Sequence, residues 1–260
     1  MSRFTGKVAV VTGSSSGIGQ ATAVRLASEG ASVVINYNSS PKGAEQTLAD
    51  VEAAGGKGVV VQANMADVDA CRMLVRKAVE EFGRLDFLLC NAAYEDDSTA
   101  LDLTPETFDR VMAINLRGPF FCSQEGAKIM KDQQPDAKGI RGRIIMMSSL
   151  HEDLPMKHAN AYCTSKGGLR MMMRNLAVEW AEYGILVNGI APGAIKTAIN
   201  ADVLEDPTRN KRLLENIALH RVGHVDEVAG TVAFLCSDDA SYFTSSSLLV
   251  DGGLTWNYEE

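Results

Sequence analysis

The sequence lacks the features of several classes of protein. Its five cysteines include no CxxC pair, which argues against a zinc site or a disulfide framework and predicts reduced thiols and no bound metal. No apolar run approaches the ~20 residues that a membrane span requires. The residues after Met1 also lack the apolar core and the small-residue cleavage site of a signal peptide. We therefore expect a cytoplasmic protein with no membrane partner.

Positive charge is scarce as well. Lysine and arginine total 25 against 33 aspartates and glutamates, so the formal net charge is -8. Because phosphate groups are bound by basic surfaces, this balance argues against nucleic acid as the main partner. The hydrophobic share of 46% and the charged share of 22% are those of an ordinary globular protein. At 260 residues the chain fits one large α/β domain.

Short apolar runs alternate with amphipathic stretches along most of the chain, with no repeat and no Pro/Gly/Ser-rich linker. The runs mostly lack strict alternation, as expected for strands covered by helices on both faces. The predicted strands are Val8–Val11, Ser32–Asn36, Gly58–Gln62, Phe87–Cys90, Arg143–Met147, Leu186–Ile190 and Ser247–Val250. The predicted helices are Ile18–Glu29, Gly43–Ala54, Val68–Phe82, Pro105–Met130, Ala161–Tyr183 and Asp226–Cys236. This order predicts right-handed βαβ units and a parallel sheet.

Residues 191–219 interrupt this rhythm after the sixth predicted strand. In a doubly wound sheet, the loops that cover a ligand lie at the carboxyl ends of the strands. We therefore expect this segment to be a substrate lid, and a plain surface insertion is the alternative.

A glycine-rich turn follows the first predicted strand. Residues Thr12–Gly19 have the glycine spacing GxxxGxG and lead into a predicted helix. Gly13 permits a tight turn, Gly17 lets the backbone approach a pyrophosphate, and Gly19 allows close packing of helix on strand. The helix N-terminus offers unpaired N–H groups to the anion, so the context predicts a dinucleotide site. The residues expected around the dinucleotide are Gly13, Ser15, Ser16, Gly17, Ile18 and Gly19.

The residues after the second predicted strand bear on the choice of nicotinamide cofactor. An acidic side chain there would bind the adenosine ribose 2′-hydroxyl and repel a 2′-phosphate. Residues Asn36–Ser40 and the following Lys42 include no carboxylate. This favours NADP, with Asn38 and Ser39 beside the cofactor and Lys42 as a cation. No arginine is present to bind a phosphate bidentately, so use of NAD also stays open.

A second cluster carries acid–base chemistry. Tyr162 and Lys166 are four residues apart, so on a helix they share one face. A nearby ammonium is expected to lower the tyrosine pKa from its ordinary value of about 10, which lets the phenol exchange a proton with an alcohol or a ketone. Ser149 ends the fifth predicted strand, where its hydroxyl can polarise the substrate oxygen. A lone Tyr-x-x-x-Lys is more often a solvated pair, but its conjunction with the glycine turn favours catalysis.

The chain resembles the short-chain dehydrogenase/reductase family over nearly its whole length. The matching segments are Thr12–Gly19, Asn91-Ala92-Ala93, Asn115, Ser149, Tyr162-x-x-x-Lys166, Pro192-Gly193 and Asp251-Gly252-Gly253. One departure is Ala93, where the family motif usually has glycine. The resemblance implies one Rossmann-type NAD(P)-binding domain over residues 1–260. It also implies a doubly wound seven-stranded parallel sheet, usually assembled into homotetramers.

The resemblance implies residue roles too. Asn115 would hold a water in a proton relay from Tyr162, and Lys166 would also bind the nicotinamide ribose. The catalytic set is then Asn115, Ser149, Tyr162 and Lys166. Further cofactor contacts would be Asn64 and Met65 at the adenine, Asn91 and Ala92 along the cofactor, and Pro192, Gly193, Ile195 and Thr197 at the nicotinamide.

A narrower resemblance links Ser148–Pro155, Lys166–Gly168 and Pro192–Ala201 to bacterial glucose 1-dehydrogenases. Carboxylates and amides suit sugar hydroxyls, because each can accept or bridge several hydrogen bonds. The expected substrate contacts are Glu95, His151, Glu152 and Asn200. Alternatively, the two glutamates are solvated loop acids and the histidine only shapes its loop.

The first hypothesis is a sugar or polyol dehydrogenase that acts on a small-molecule alcohol or carbonyl substrate. Two other functions stay open beside it. One is a carbonyl reductase, including a 3-oxoacyl thioester reductase, which would favour a basic patch for an acidic carrier protein. Candidate basic residues are Lys128, Lys131, Arg170 and Arg174. The other is a dinucleotide-binding sensor without chemistry, which should lack at least one residue of the catalytic set. All four are present.

Overall fold

Seven strands form one parallel sheet in a computed structural model that describes residues 2–257, with residue 199 described by its backbone alone. The strands are β1 (Val8–Val11), β2 (Ser32–Tyr37), β3 (Lys57–Gln62), β4 (Phe87–Cys90), β5 (Gly142–Met147), β6 (Ile185–Pro192) and β7 (Ser247–Val250). Their order across the sheet is β3-β2-β1-β4-β5-β6-β7. Each strand overlaps one of the predicted strands, so the prediction of a seven-stranded parallel sheet is confirmed.

Helices cover both faces of the sheet. They are α1 (Gly17–Ser28), α2 (Pro41–Ala53), α3 (Val68–Phe82), α4 (Pro105–Met112), α5 (Gly118–Lys131), α6 (Asn160–Trp180), α7 (Ala201–Glu205), α8 (Pro207–Asn216) and α9 (Val225–Cys236). Local signals set several of their ends: Asp67 accepts hydrogen bonds from the second and third N–H groups of α3, and Gly83 ends that helix at φ +79°.

The sheet separates two hydrophobic cores. In β1, Val8 and Val10 join the core under α3, α5 and α6. The intervening Ala9 and Val11 join the core under α1, α2 and α9. Successive side chains of a strand point to opposite faces, so an unbroken apolar run is what a sheet buried on both sides requires. The structure is therefore a single doubly wound Rossmann-type domain.

The predicted helix over Pro105–Met130 is wrong in one respect. The segment is helical throughout, but a π-helical turn at Ala113–Arg117 separates α4 from α5. Such a turn inserts an extra residue and often accompanies a functional site. Here it contains Asn115, whose side chain contacts a neighbouring loop instead of solvent. Hydrophobic periodicity does not register a one-residue insertion, so the sequence could not show it.

Parallel strands bring all their carboxyl ends to one edge of the sheet, called here the carboxyl edge. The order reverses at β1, whose neighbours are β2 and β4, and ligands of doubly wound proteins bind in the crevice at this point. Residues 191–219 begin with the last two residues of β6 and then contain a 3-10 turn at Ala198–Asn200 and the short helices α7 and α8. Within residues 2–257 no helix combines the length and apolarity needed to cross a membrane.

Candidate active site

The glycine-rich turn joins β1 to α1 at the carboxyl edge. Gly13 and Gly17 have φ of +62° and +59°, a region that favours glycine. A Cβ at Gly13 would lie 2.9 Å from the Cα of Ala92, and one at Gly19 would lie 2.4 Å from the carbonyl oxygen of Gly13. Both positions thus require glycine for close packing. The turn leads into a 12-residue helix that begins after Ser16, whose hydroxyl makes no capping bond.

Side chains from neighbouring strands fix this turn. The Asn36 amide oxygen accepts from the Gly13 N–H at 2.9 Å, and its nitrogen donates to backbone carbonyls of β3 and the loop that follows. The Thr12 hydroxyl accepts from the N–H groups of Asn91 and Ala92, at 2.8 and 2.9 Å. The Asn91 amide donates back to the carbonyls of Thr12 and Gly13.

Asn36 and Thr12 received no binding role from the sequence, although Thr12 lies within the recognised turn. The inward direction of Asn36 depends on contacts with segments 23 to 27 residues away, which no local pattern shows. Both are buried, at 2% exposure each. They therefore position the turn and are not available to a ligand.

The adenosine end of the predicted cofactor site lies after β2 and β3. Asn38 and Ser39 are exposed beyond β2, as is Lys42 at the start of α2. Beyond β3, Asn64 is exposed and accepts from the N–H of Ala66. Met65 is buried.

The nicotinamide end of the predicted site follows β6. Ile195 is buried, and a Cβ at Gly193 would lie 2.6 Å from the Cβ of Asp251. A Cβ at Gly17 would lie 3.6 Å from the Thr197 methyl group, so this segment meets the glycine-rich turn across the crevice. The residues predicted to hold the dinucleotide, from Asn38 to Thr197, thus follow strands that end at the carboxyl edge, and we call this row of residues the cradle.

Ser149, Tyr162 and Lys166 come together beside that cradle. Ser149 lies two residues beyond β5 and is 7% exposed. Tyr162 and Lys166 occupy the first turns of α6, with the Lys166 nitrogen 5.4 Å from the centre of the Tyr162 ring. That nitrogen is buried and donates to the Met147 carbonyl at 2.9 Å.

The pKa values of this pair are set mainly by burial. Burial raises the pKa of Tyr162 to about 12, and a hydrogen bond with Ser149 opposes the shift. Burial lowers the pKa of Lys166 to about 8, against the influence of Glu152 and Glu95. The expected lowering of the tyrosine pKa is therefore wrong for the protein's own groups. Removing the phenol from water outweighs nearby charge, because a buried phenolate loses its hydration.

Protein groups bind both the oxygen and the nitrogen of the Asn115 side chain. Its oxygen accepts from the Tyr94 N–H, and its nitrogen donates to the Tyr94 carbonyl, both at 2.8 Å. The nitrogen also donates to the Ser165 hydroxyl at 3.1 Å, which uses its second proton. The amide thus fixes the loop after β4 to α6. A relay water at Asn115 would therefore bind the remaining lone pair of this oxygen or the backbone of the residue.

Three of the four predicted substrate contacts surround this centre. The His151 ring meets the Tyr162 ring edge to face at 6.3 Å, and its Nδ1 contacts the Leu154 carbonyl at 3.0 Å. Glu95 lies on the exposed loop after β4, where loss of hydration raises its pKa and the charges of His151 and Lys166 oppose the shift. Glu152 influences Lys166, but Asn200 donates to the Ile195 carbonyl of its own loop.

The loop that carries Glu95 has a second support that the sequence did not suggest. The Arg110 guanidinium of α4 lies 4.1 Å from the centre of the Tyr94 ring. The Asn115 side chain binds the backbone N–H and carbonyl of Tyr94. No sequence motif marks this stack, because it joins a loop to a helix sixteen residues away.

The fold and the arrangement at the carboxyl edge define a class, the nicotinamide-dependent oxidoreductases. Comparison with known proteins narrows it. A family model described as enoyl-(acyl carrier protein) reductase matches residues 13–255. Glucose 1-dehydrogenase 2 of Bacillus subtilis is 39% identical over 253 residues, which cover 97% of this chain and 96% of that protein.

Other relatives have different names. The 3β-hydroxysteroid dehydrogenase 1 of Eggerthella lenta is 41% identical, with 96% of this chain and 94% of that protein covered. A crystal structure with bound NADP, of an Agrobacterium tumefaciens protein provisionally named 2-deoxy-D-gluconate 3-dehydrogenase, has a TM-score of 0.86. It is 33% identical, and the match covers 98% of this chain and 99% of that one. The chain belongs to the short-chain dehydrogenase/reductase family and is an NAD(P)-dependent enzyme that acts on CH–OH groups.

Proposed function

We propose that this enzyme oxidises a hydroxyl group of a sugar or polyol, in the manner of a glucose 1-dehydrogenase, and that NADP is its preferred cofactor. The observation that carries the proposal is the grouping of Glu95 and His151 around Tyr162 and Lys166. Several acceptors next to the proton-transfer group suit a substrate with several hydroxyls. The B. subtilis relative's name supports the same class of substrate.

Tyr162 is the proposed acid–base group. The Ser149 hydroxyl would donate to the substrate oxygen, and Tyr162 would take the hydroxyl proton as the carbon gives up its hydride. When bound, the oxidised nicotinamide accepts that hydride and adds a positive charge. Such a charge beside the phenol would lower the Tyr162 pKa from the value of about 12 that burial gives it. In the reverse direction the same phenol donates its proton to a carbonyl oxygen.

The preference for NADP rests on the end of β2. Asn38, Ser39 and Lys42 are exposed there, and residues 36–42 include no carboxylate to repel a 2′-phosphate. The NADP-bound relative supports the fit of this fold to that cofactor. Residues 191–219, which begin with the nicotinamide end of the cradle, are the proposed substrate lid.

We also propose a homotetramer, because two separate faces are apolar. One is a groove of about 980 Å³ between α4, α5 and α6, lined by Leu116, Phe120 and Met171 among others. The other is the free edge of β7, next to which Tyr242 is fully exposed and Trp256 is 72% exposed. Two self-complementary faces per subunit generate a tetramer with dihedral symmetry. Sedimentation would give the mass of four chains, and a monomer would contradict this.

The alternative of a thioester reductase finds less support. A basic patch would attract an acidic carrier, but Arg170 is paired with Glu152 and Asp153. Lys128 also lies 4.0 Å from Glu125.

The experiment that tests the function follows absorbance of the reduced nicotinamide. The purified enzyme is assayed with NADP and NAD separately, against glucose, other sugars, polyols, ketones and 3-oxo thioesters. We expect NADP-dependent oxidation of a sugar or polyol to exceed all other reactions. Rapid reduction of ketones or thioesters with no oxidation of sugars would overturn the substrate assignment and leave the Tyr162 chemistry in place.

A further inference from the structure

A row of side chains on α6 extends beyond the catalytic pair. Tyr162, Lys166 and Arg170 are spaced four residues apart and therefore share one helix face. Arg170 forms ion pairs with Asp153 and with Glu152, whose Oε1 lies 3.4 Å from its Nε. Both acids belong to the short turn that follows Ser149. Arg170 thus joins the helix of the catalytic pair to the turn that carries the catalytic serine.

Glu152 is not a solvated loop acid. Its side chain is only 3% exposed, whereas that of its neighbour Asp153 is 38% exposed. Within the described part of the chain, the Glu152 Oε2 has no hydrogen-bond partner. An ionised carboxylate oxygen buried without a partner is costly, so it requires a nearby cation.

Lys166 is a cation in need of a counterion. It is 2% exposed, and its Nζ donates to the Met147 carbonyl. An ammonium has three donors, and a carbonyl cannot neutralise its charge. The next residue, Gly167, lies against the Glu152 backbone, with 3.7 Å between its hypothetical Cβ and the Glu152 carbonyl oxygen. The Glu152 carboxylate contacts Arg170, one helical turn beyond Lys166 on the same face of α6, so it lies between this helix and the turn on the side of the ammonium.

We infer that Glu152, held in place by Arg170, is the buried counterion that keeps the Lys166 ammonium charged. The inference rests on the proposed function in one respect, the use of Lys166 as a catalytic ammonium. It makes Glu152 a positioning residue instead of a substrate contact. A sugar ligand and a counterion make different demands on this carboxylate, so the two roles can be separated by experiment.

The charged groups around Lys166 support this assignment. Burial lowers the pKa of Lys166, and Glu152 opposes that shift more than Glu95 does. Glu95 is exposed on its loop and also faces His151. On the same face of α6, Tyr162 has a high pKa that keeps it neutral near pH 7, and Arg170 is a cation paired with Glu152 and Asp153. Glu152 is therefore the principal negative charge that faces the ammonium.

The first test is the pH dependence of kcat/KM for Glu152→Gln with the best substrate found in the panel. Activity that requires the ammonium is lost as pH rises through the Lys166 pKa, and removal of the carboxylate lowers that pKa. We expect the alkaline limb to move down by ~1 pH unit. Glu152→Asp, which keeps the charge, should restore most of the limb. Asp153→Asn removes an exposed carboxylate from the same turn and is the matched control, with no displacement expected.

The substrate series separates the two roles. A counterion predicts the same displacement of the limb for every substrate, including a simple ketone. A sugar ligand predicts a higher KM for sugars alone and an unmoved limb, and that result would overturn the inference. If Glu152→Gln does not fold, the double variant Glu152→Gln/Arg170→Met removes both charges of the pair, which proteins tolerate better than one unpaired charge. The same downward displacement is expected for it.

A second measurement does not depend on activity. In protein with ¹³Cε-labelled lysine, the Lys166 signal is assigned by its loss in Lys166→Arg, and its titration gives the pKa directly. We expect a lower midpoint in Glu152→Gln and an unchanged one in Asp153→Asn. An unchanged midpoint in both would refute the counterion. A lowered midpoint in a protein inactive on the whole panel would uphold the counterion and reject the proposed function.

Discussion

Replacement of Gly19 by alanine tests the glycine-rich turn. The added methyl group would lie 2.4 Å from the Gly13 carbonyl oxygen and 2.6 Å from the Asn91 amide nitrogen. Gly19 has no positive φ, so the effect comes from contact alone. The shorter distance is about 1 Å less than ordinary van der Waals contact. Either the turn or α1 has to move.

The magnitude follows from what the movement disturbs. Overpacking of this kind costs roughly 1–3 kcal/mol. The Asn91 amide would also lose hydrogen bonds to the carbonyls of Thr12 and Gly13, at ~1 kcal/mol each. We expect a total loss of about 3–5 kcal/mol in the free energy of unfolding. Because the displaced turn carries the proposed pyrophosphate site, the Kd for NADP should rise at least about tenfold.

The assay combines urea unfolding with calorimetric titration of NADP. Gly230→Ala is the matched control, since that glycine also lies in a helix but the nearest atom to its hypothetical Cβ is 3.7 Å away. There the same methyl group should stabilise by about 0.5–1 kcal/mol, because alanine favours helix, and leave the Kd unchanged. If Gly19→Ala keeps the stability and the Kd of the natural protein, the argument from close packing is refuted.

Three further predictions concern other parts of the site and fold. Arg110→Ala removes the stack on Tyr94, which supports the loop that carries Glu95. In steady-state kinetics we expect the substrate KM to rise about threefold with little change in kcat, and an unchanged KM would contradict this. Lys166 has a pKa of about 8 in the folded protein, against 10.5 for an unperturbed lysine. Between these two pH values the unfolded chain binds more protons than the folded one. The free energy of unfolding should therefore rise with pH in this range, by up to about 3 kcal/mol. Urea unfolding at pH 7.5 and 10 should show this rise in the natural protein and no such rise in Lys166→Met. An equal rise in both proteins would contradict the assignment of the rise to Lys166. The Asp86 carboxylate is 3% exposed and pairs with Lys7 and Arg84 at the edge of the sheet opposite the carboxyl edge. Asp86→Asn removes this charge, so the free energy of unfolding measured by denaturation should fall by about 3–5 kcal/mol while the Kd for NADP stays unchanged.

The sequence predicted the strands well because their apolar runs are buried on both faces and appear directly in composition. The glycine-rich turn was also predictable, since Gly13 and Gly17 adopt positive φ values that the local backbone requires and that favour glycine. The π-helical turn around Asn115 was not, because a one-residue insertion leaves the surrounding hydrophobic pattern intact. The predicted direction of the Tyr162 pKa shift was wrong. Burial depends on the tertiary structure, and it raises this pKa more than neighbouring groups lower it.

Contacts between distant segments were the least predictable part of the site. Asn36 binds the Gly13 N–H across 23 residues, and Arg170 reaches Glu152 across 18. Residue type and spacing indicated which groups could carry the chemistry. Only the packing of α6 against the turn after β5 distinguished a buried carboxylate from a surface one.

The most direct test of the central claim is Tyr162→Phe, assayed by absorbance of the reduced nicotinamide with the best substrate of the panel. The variant keeps the ring and loses only the phenolic oxygen. We expect kcat to fall by about 10²–10⁴, the usual contribution of a positioned acid–base group, or below detection. Titration of NADP should give a Kd close to that of the natural protein, since the ring and the cradle are preserved. Substantial residual turnover with intact cofactor binding would contradict the assignment of Tyr162 as the proton-transfer group.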